Sequence, residues 1–168
     1  MATSENITPT VAPYPFNLSS ADIILRTPDL TEFHVQSFLL IIASPFFSDM
    51  LSLPQPQDGN QSYTSTRPIV DVTEDSKTLE RLLRLCYPTA KPMFDVLEDI
   101  VLVFKAAIKY DMEWAIPPLM KDLKVVLPQN PLKAWAVACR SASEDVAREA
   151  ALLSQRLASS PLSPGRGH

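Results

Sequence analysis

Three glycines stand against sixteen prolines in this chain of 168 residues, and no other feature limits its backbone so strongly. Glycine enters the left-handed region without steric cost, whereas proline fixes φ and removes a hydrogen-bond donor. Gly59, Gly165 and Gly167 are too few and too scattered to build a phosphate-cradling loop or a dinucleotide-binding turn. The composition points away from nucleotide enzymes. The prolines punctuate the chain into short elements, and a hydrophobic fraction of 46% supplies enough apolar matter for one core.

Between these breaks the pattern changes period. Residues 1–19 carry Pro9, Pro13 and Pro15 among small polar residues and are expected to form a disordered lead-in without a helix. Ala21 to Arg26, the break Thr27-Pro28-Asp29 and the alternating Glu32-Phe33-His34-Val35 read as a β-hairpin. Phe38 to Ala43 is apolar on every side, which leaves helix and strand both open. Ser44-Pro45 supplies a cap and a first-turn proline for a short helix through Phe46, Phe47, Met50 and Leu51. The segment Ser52–Thr66 has loop chemistry and is long enough to be mobile or functional, and Pro68 to Val72 reads as a third strand.

The remainder is helical by spacing. Leu79, Leu82, Leu83 and Cys86 mark one helix after a cap at Thr73 or Asp75, and Leu97, Ile100, Val101, Phe104, Ala107 and Ile108 mark the next. Ile116, Leu119, Met120, Leu123 and Val126 mark a third; Leu132, Trp135, Ala136 and Cys139 a fourth after Asn130-Pro131; a fifth starts at Ser143-Glu144-Asp145. Cys86 and Cys139 fall on apolar stripes and are expected as two buried free thiols.

Charge and the histidine count narrow function further. Residues 1–75 hold nine acids and two bases (net −7) and residues 76–168 ten acids and thirteen bases (net +3), giving −4 in all. The bases of the second half are interleaved with acids, which argues against a nucleic-acid surface. With only His34 and His168 beside two cysteines there is no metal-ligand set, and neither cofactor nor metal is expected. His34 reads as an exposed strand histidine; a small hydrolase using it is the remote enzymatic alternative, and no catalytic residue is assigned. The paired acids Glu74-Asp75, Glu98-Asp99 and Glu144-Asp145 fall at helix starts, where they favour the dipole. The longest apolar run is far short of the ~20 residues of a membrane span, and the N-terminus lacks a signal peptide's order. A cytoplasmic or nuclear protein with neither a membrane nor a small-molecule partner is expected.

What remains is a surplus of large apolar residues over Phe38–Leu53, which must be core, an interaction face, or both.

The order Asp22-Ile23-Ile24-Leu25, Phe33-His34-Val35, Ser44-Pro45-Phe46-Phe47 and Met50-Leu51 resembles the BTB/POZ domain. Val70-Asp71-Val72 looks like its third strand, Leu79 to Tyr87-Pro88 like its leucine-rich helix, and Ala106 to Asp111 like its AAxKYD helix. The segment SPFFSDMLSLPQP is similar to BTB proteins expanded in mushroom-forming fungi, as is PLKAWAVACR to the helix pair that follows the domain there. The resemblance implies an α+β fold: a small sheet of about three strands flanked by helices over 20–127, then a C-terminal helical extension over 128–157 and a loose tail over 158–168. It implies a non-enzymatic module for homotypic or heterotypic protein association, or alternatively a substrate adaptor docking a cullin scaffold of a ubiquitin ligase. Partner-binding residues are expected at Asp22, Phe38, Met50, Leu51 and Leu53. Three departures stand out. Gln36-Ser37 replaces the basic residue that would pair Asp22 in the family's charged dimer pocket. No exchanged N-terminal helix is predicted, and Met50-Leu51-Ser52 lacks the glutamate of the cullin-contact motif. Any homodimer is therefore expected to be weaker than the swapped kind.

Overall fold

The computed structural model describes residues 8–53, 67–126, 128, 130–140, 147–148 and 151–155. They belong to two units, Met1–Met93 with Leu102–Ala115 and Phe94–Val101 with Ile116–His168.

The first unit is α+β and begins with a short strand, β1 (Thr10–Val11). The hairpin follows as β2 (Ile23–Arg26) and β3 (Thr31–Val35), antiparallel, with Ile23 opposite Val35 and Leu25 opposite Phe33. These four side chains are buried while Ile24, Arg26, Glu32 and His34 between them are not, as a period-two strand with one covered face requires. The third strand of the sequence reading is β4 (Ile69–Asp71), parallel to β2, where Arg26 Nε bonds its register partner Asp71 at 2.8 Å.

The sheet has four strands, in the order β1-β3-β2-β4, rather than three. The extra strand comes from the stretch read as a disordered lead-in, and that expectation is corrected for the described part of 1–19. Phe16 is fully buried, with its ring 5.5 Å from Phe33 and 5.1 Å from Tyr87. Burying such a ring is worth about 1.5–3 kcal/mol, enough to tie down a segment whose prolines already favour extension. Thr10 and Ala12 then donate backbone bonds to Leu30 and Glu32.

The ambiguous apolar run is a helix, α1 (Ser37–Ala43), followed after one residue by α2 (Pro45–Ser52). Ser44 caps α2 as its sequence position suggests, its Oγ accepting from Phe47 N–H at 3.0 Å. Helix α3 (Ser76–Cys86) is capped by Asp75, which accepts from both the backbone and the hydroxyl of Thr78. Helix α4 (Leu97–Lys109) follows, with Val103, Phe104, Ala106 and Ala107 of this unit buried. Ile108, assigned to the apolar stripe, is exposed because Val103 and Ala106 set a different arc. A 3₁₀ turn, Glu113–Ala115, closes the unit.

In the second unit, Leu97, Ile100 and Val101 are buried, as are Leu119, Met120, Leu123 and Val126 of α5 (Ile116–Val126). Helix α6 (Pro131–Arg140) starts with Asn130 accepting from Lys133 N–H. Its expected stripe is turned outward: Ala134 and Val137 are buried, whereas Leu132, Trp135, Ala136 and Cys139 are exposed. Two stripes of similar spacing share this short helix, and the smaller side chains, which permit closer approach, face inward. Cys139 is thus not a buried thiol. Cys86 is half-buried, and burial pushes its thiol up to about 12. Residues 151–155 are helical, as the fifth helix requires; its start at 143–145, the loop over 54–66 and the tail 158–168 lie outside the described residues.

Candidate protein-interaction face

Helix α1 is too short to stand alone and is fixed at both ends by residues distant in sequence. Gln36, in the N-cap position, offers no side-chain cap. Asp22 substitutes for it from the approach to β2, accepting from Ser37 N–H at 2.7 Å and from the Ser37 hydroxyl. Gln36 N–H donates to the Tyr87 phenol oxygen at 3.0 Å. Burial opposes ionisation of the Asp22 carboxylate, but the two bonds from Ser37 outweigh it and hold the group below the usual carboxylate range. Asp22, expected as a partner-binding residue, is engaged in holding this helix.

The packing of α1 decides which side chains it presents. Leu40 and Ala43, three apart, are buried, so the opposite arc carries Phe38 and Ile42, one turn apart and 67% and 66% exposed. On α2, Phe47 is buried against Tyr110 with ring centroids 5.0 Å apart, while Phe46 stays 43% exposed. The buried Ser44 hydroxyl also donates to the Tyr110 carbonyl, joining the α1–α2 junction to the end of α4. Phe38 and Ile42 are therefore an apolar pair on a fixed frame, whereas the Phe46 ring lies 5.5 Å from that of Tyr110.

The other expected residues divide. Leu53, at the end of α2, is 65% exposed and Leu51 half-buried. Met50 lines a cavity of about 170 Å³ with Phe46, Phe47, Val70, Val72 and Tyr110, which places it beside β4. Ile42, exposed beside Phe38, and Trp114, exposed in the 3₁₀ turn Glu113–Ala115, are not among the expected partner-binding residues. Phe38 and Ile42 share a turn spacing that could have paired them, but which arc of an all-apolar helix faces outward is a matter of tertiary packing.

His34 is part-buried rather than exposed, because Phe16 and Arg67 approach it: its backbone N–H donates to Phe16 O, and Nδ1 lies 3.1 Å from the Arg67 guanidinium. Nε2 lies 3.9 Å from a Glu32 carboxylate oxygen. Among the described residues, the two ring nitrogens face the Arg67 and Glu32 side chains. No helix among the described residues is long and apolar enough to cross a membrane.

An α+β domain that sets a capped pair of short helices against a small mixed sheet and leaves an apolar helix arc uncovered is built for contact with protein. A family model of the BTB/POZ domain matches residues 16–125, and the chain belongs to that family. The BTB/POZ domain is a protein–protein interaction module, typically without enzymatic activity. Comparison with curated proteins yields no match. The matched span begins at Phe16, the residue that anchors β1, and ends within α5; the likeness of 131–140 to a following helix pair lies beyond it.

Proposed function

We propose that this chain is an association module whose contact face is the outward arc of α1 continued onto the start of α2. The observation that carries this reading is the pairing of Phe38 and Ile42: two large apolar side chains, each about two-thirds exposed, held by a helix whose inner residues are buried. Large apolar surface on a rigid frame is what an interface core requires. Asp22 is bonded to Ser37 rather than to a basic residue, which supports a looser association than a swapped, charge-locked dimer. The segment Ser44 to Pro56 supports a place among the BTB proteins of mushroom-forming fungi. A cullin scaffold is the less supported partner, since Ser52 stands where the contact motif has glutamate.

Sedimentation equilibrium of the full chain, alone and with Phe38→Asp or Ile42→Asp, tests the reading. The parent is expected to associate reversibly and both variants to be monomeric, with thermal midpoints within a few degrees of the parent. Variants that associate like the parent would place the contact face elsewhere.

A further inference from the structure

Resting on that reading, the geometry points to an occupant of definite chemistry for the far end of the face: we propose that the groove between the α1–α2 junction and the turn after α4 binds a cationic, apolar segment of a partner protein. The groove, about 590 Å³, is lined by Ile42, Ala43, Pro45, Asp111, Glu113 and Trp114. Its walls are apolar. The Trp114 indole N–H donates to Ala43 O at 2.9 Å, which fixes the ring and satisfies its polar atom while leaving the side chain 39% exposed.

Its lip is acidic. Met112 is buried, and its flanking neighbours Asp111 and Glu113 are both exposed. Asp111 has φ 53, in the left-handed region that aspartate tolerates better than most residues and that turns the chain sharply after α4. Among the described residues neither carboxylate forms a side-chain hydrogen bond or ion pair, and no lysine or arginine lines the groove.

Two unneutralised carboxylates beside an indole and an isoleucine are complemented by a lysine or arginine. Its apolar stem would lie along Ile42 and Pro45, while its charge would meet the carboxylates and the Trp114 ring. A neighbouring large apolar side chain would fill the rest of the groove. A second copy docked groove to groove fits poorly, because the described lining holds two carboxylates and no lysine or arginine to meet them. The occupant is therefore a heterologous partner with a basic residue adjacent to an apolar anchor.

Selection of a displayed dodecapeptide library on the full chain, with binding of the enriched peptides read from Trp114 fluorescence in a Trp135→Phe background, tests this. The expected peptides carry lysine or arginine within two or three positions of an aromatic or large aliphatic residue. Their affinity is expected to fall roughly three- to ten-fold in Asp111→Asn/Glu113→Gln and comparably at high salt. Enriched peptides without basic residues, affinity indifferent to the double substitution, or no enrichment at all would overturn the proposal. So would tighter self-association of the double variant that competes with peptide, which would make the groove a contact between copies. Sedimentation of Phe38→Asp reads the α1 arc and peptide binding by the Asp111→Asn/Glu113→Gln variant reads the acidic lip, so failure of the groove and failure of the association face remain distinguishable.

Discussion

Ser44 shows how much one small side chain can hold. It is completely buried, and its hydroxyl accepts from Phe47 N–H while donating to the Tyr110 carbonyl. The first bond is a local cap that any Ser-Pro helix start suggests; the second joins residues 66 positions apart. Ser44→Ala removes both, leaving a helix donor and a carbonyl unsatisfied in the interior. A cap is worth about 1 kcal/mol and a buried orphan about 1–3 kcal/mol. The variant is therefore expected to lose about 2–4 kcal/mol in urea unfolding with an unchanged m-value. A loss below about 1 kcal/mol would mean that water replaces the lost hydroxyl.

At the scale of elements, α1 depends on neighbours as much as on its own residues. Seven residues make too few internal bonds to offset nucleation, and Gln36 contributes no side-chain cap. The Asp22 carboxylate supplies it, and its lowered pKa shows the bonds from Ser37 outweighing burial. Asp22→Ala is expected to destabilise the domain by about 1–2 kcal/mol and to weaken association through Phe38, whose turn of helix frays. Asp22→Asn, which keeps an acceptor, should lie between. Amide hydrogen exchange at residues 37–40 checks this: faster exchange confined to that turn is expected in the alanine variant, and parent-like protection would show that packing of Leu40 alone holds the helix. The same dependence explains why composition left this run open between helix and strand, whereas the Ser44-Pro45 helix was legible from its cap.

Across the first unit, stability is coupled to pH through a cluster joining β4's exit to the end of α4. Tyr110 donates its hydroxyl to Glu74, and Lys109 Nζ lies 2.8 Å from the same carboxylate. Burial raises the Tyr110 phenol well above its ordinary range, reinforced by the Glu74 bond and charge. For Glu74, burial pushes upward, but the bonds from Lys109 and Tyr110 outweigh it and the carboxyl lies below its ordinary value. The lowered Glu74 stabilises the fold above the unfolded glutamate pKa of about 4.3, and this contribution is lost as pH falls through the folded value. The raised Tyr110 contributes fully below the unfolded tyrosine pKa of about 10, and its contribution is lost as pH rises through the folded value. Thermal midpoints by circular dichroism are expected to form a plateau between these limits. Glu74→Gln should make the acid limb shallower, without abolishing it because Asp22 and Asp29 are also lowered, and Tyr110→Phe should flatten the alkaline limb. An acid limb unchanged by Glu74→Gln would show that Lys109 and Tyr110 do not hold the charge.

Local order in this protein was legible wherever a short-range rule sufficed. The hairpin follows from alternation about Thr27-Pro28-Asp29, and α2 and α3 from their caps. Tertiary structure decided what depends on neighbours. Phe16 draws the lead-in into the sheet, Ala134 rather than Trp135 faces the core, and α1 hides Leu40 while presenting Phe38 and Ile42. Even the positive φ angles, which a chain so poor in glycine should avoid, fall on Leu30 and Asp111, where surrounding turns impose them. The physical reason is common to the three packing outcomes. Period and capping are properties of a few adjacent residues, but which arc of an apolar element is covered is set by residues folded against it from elsewhere in the chain.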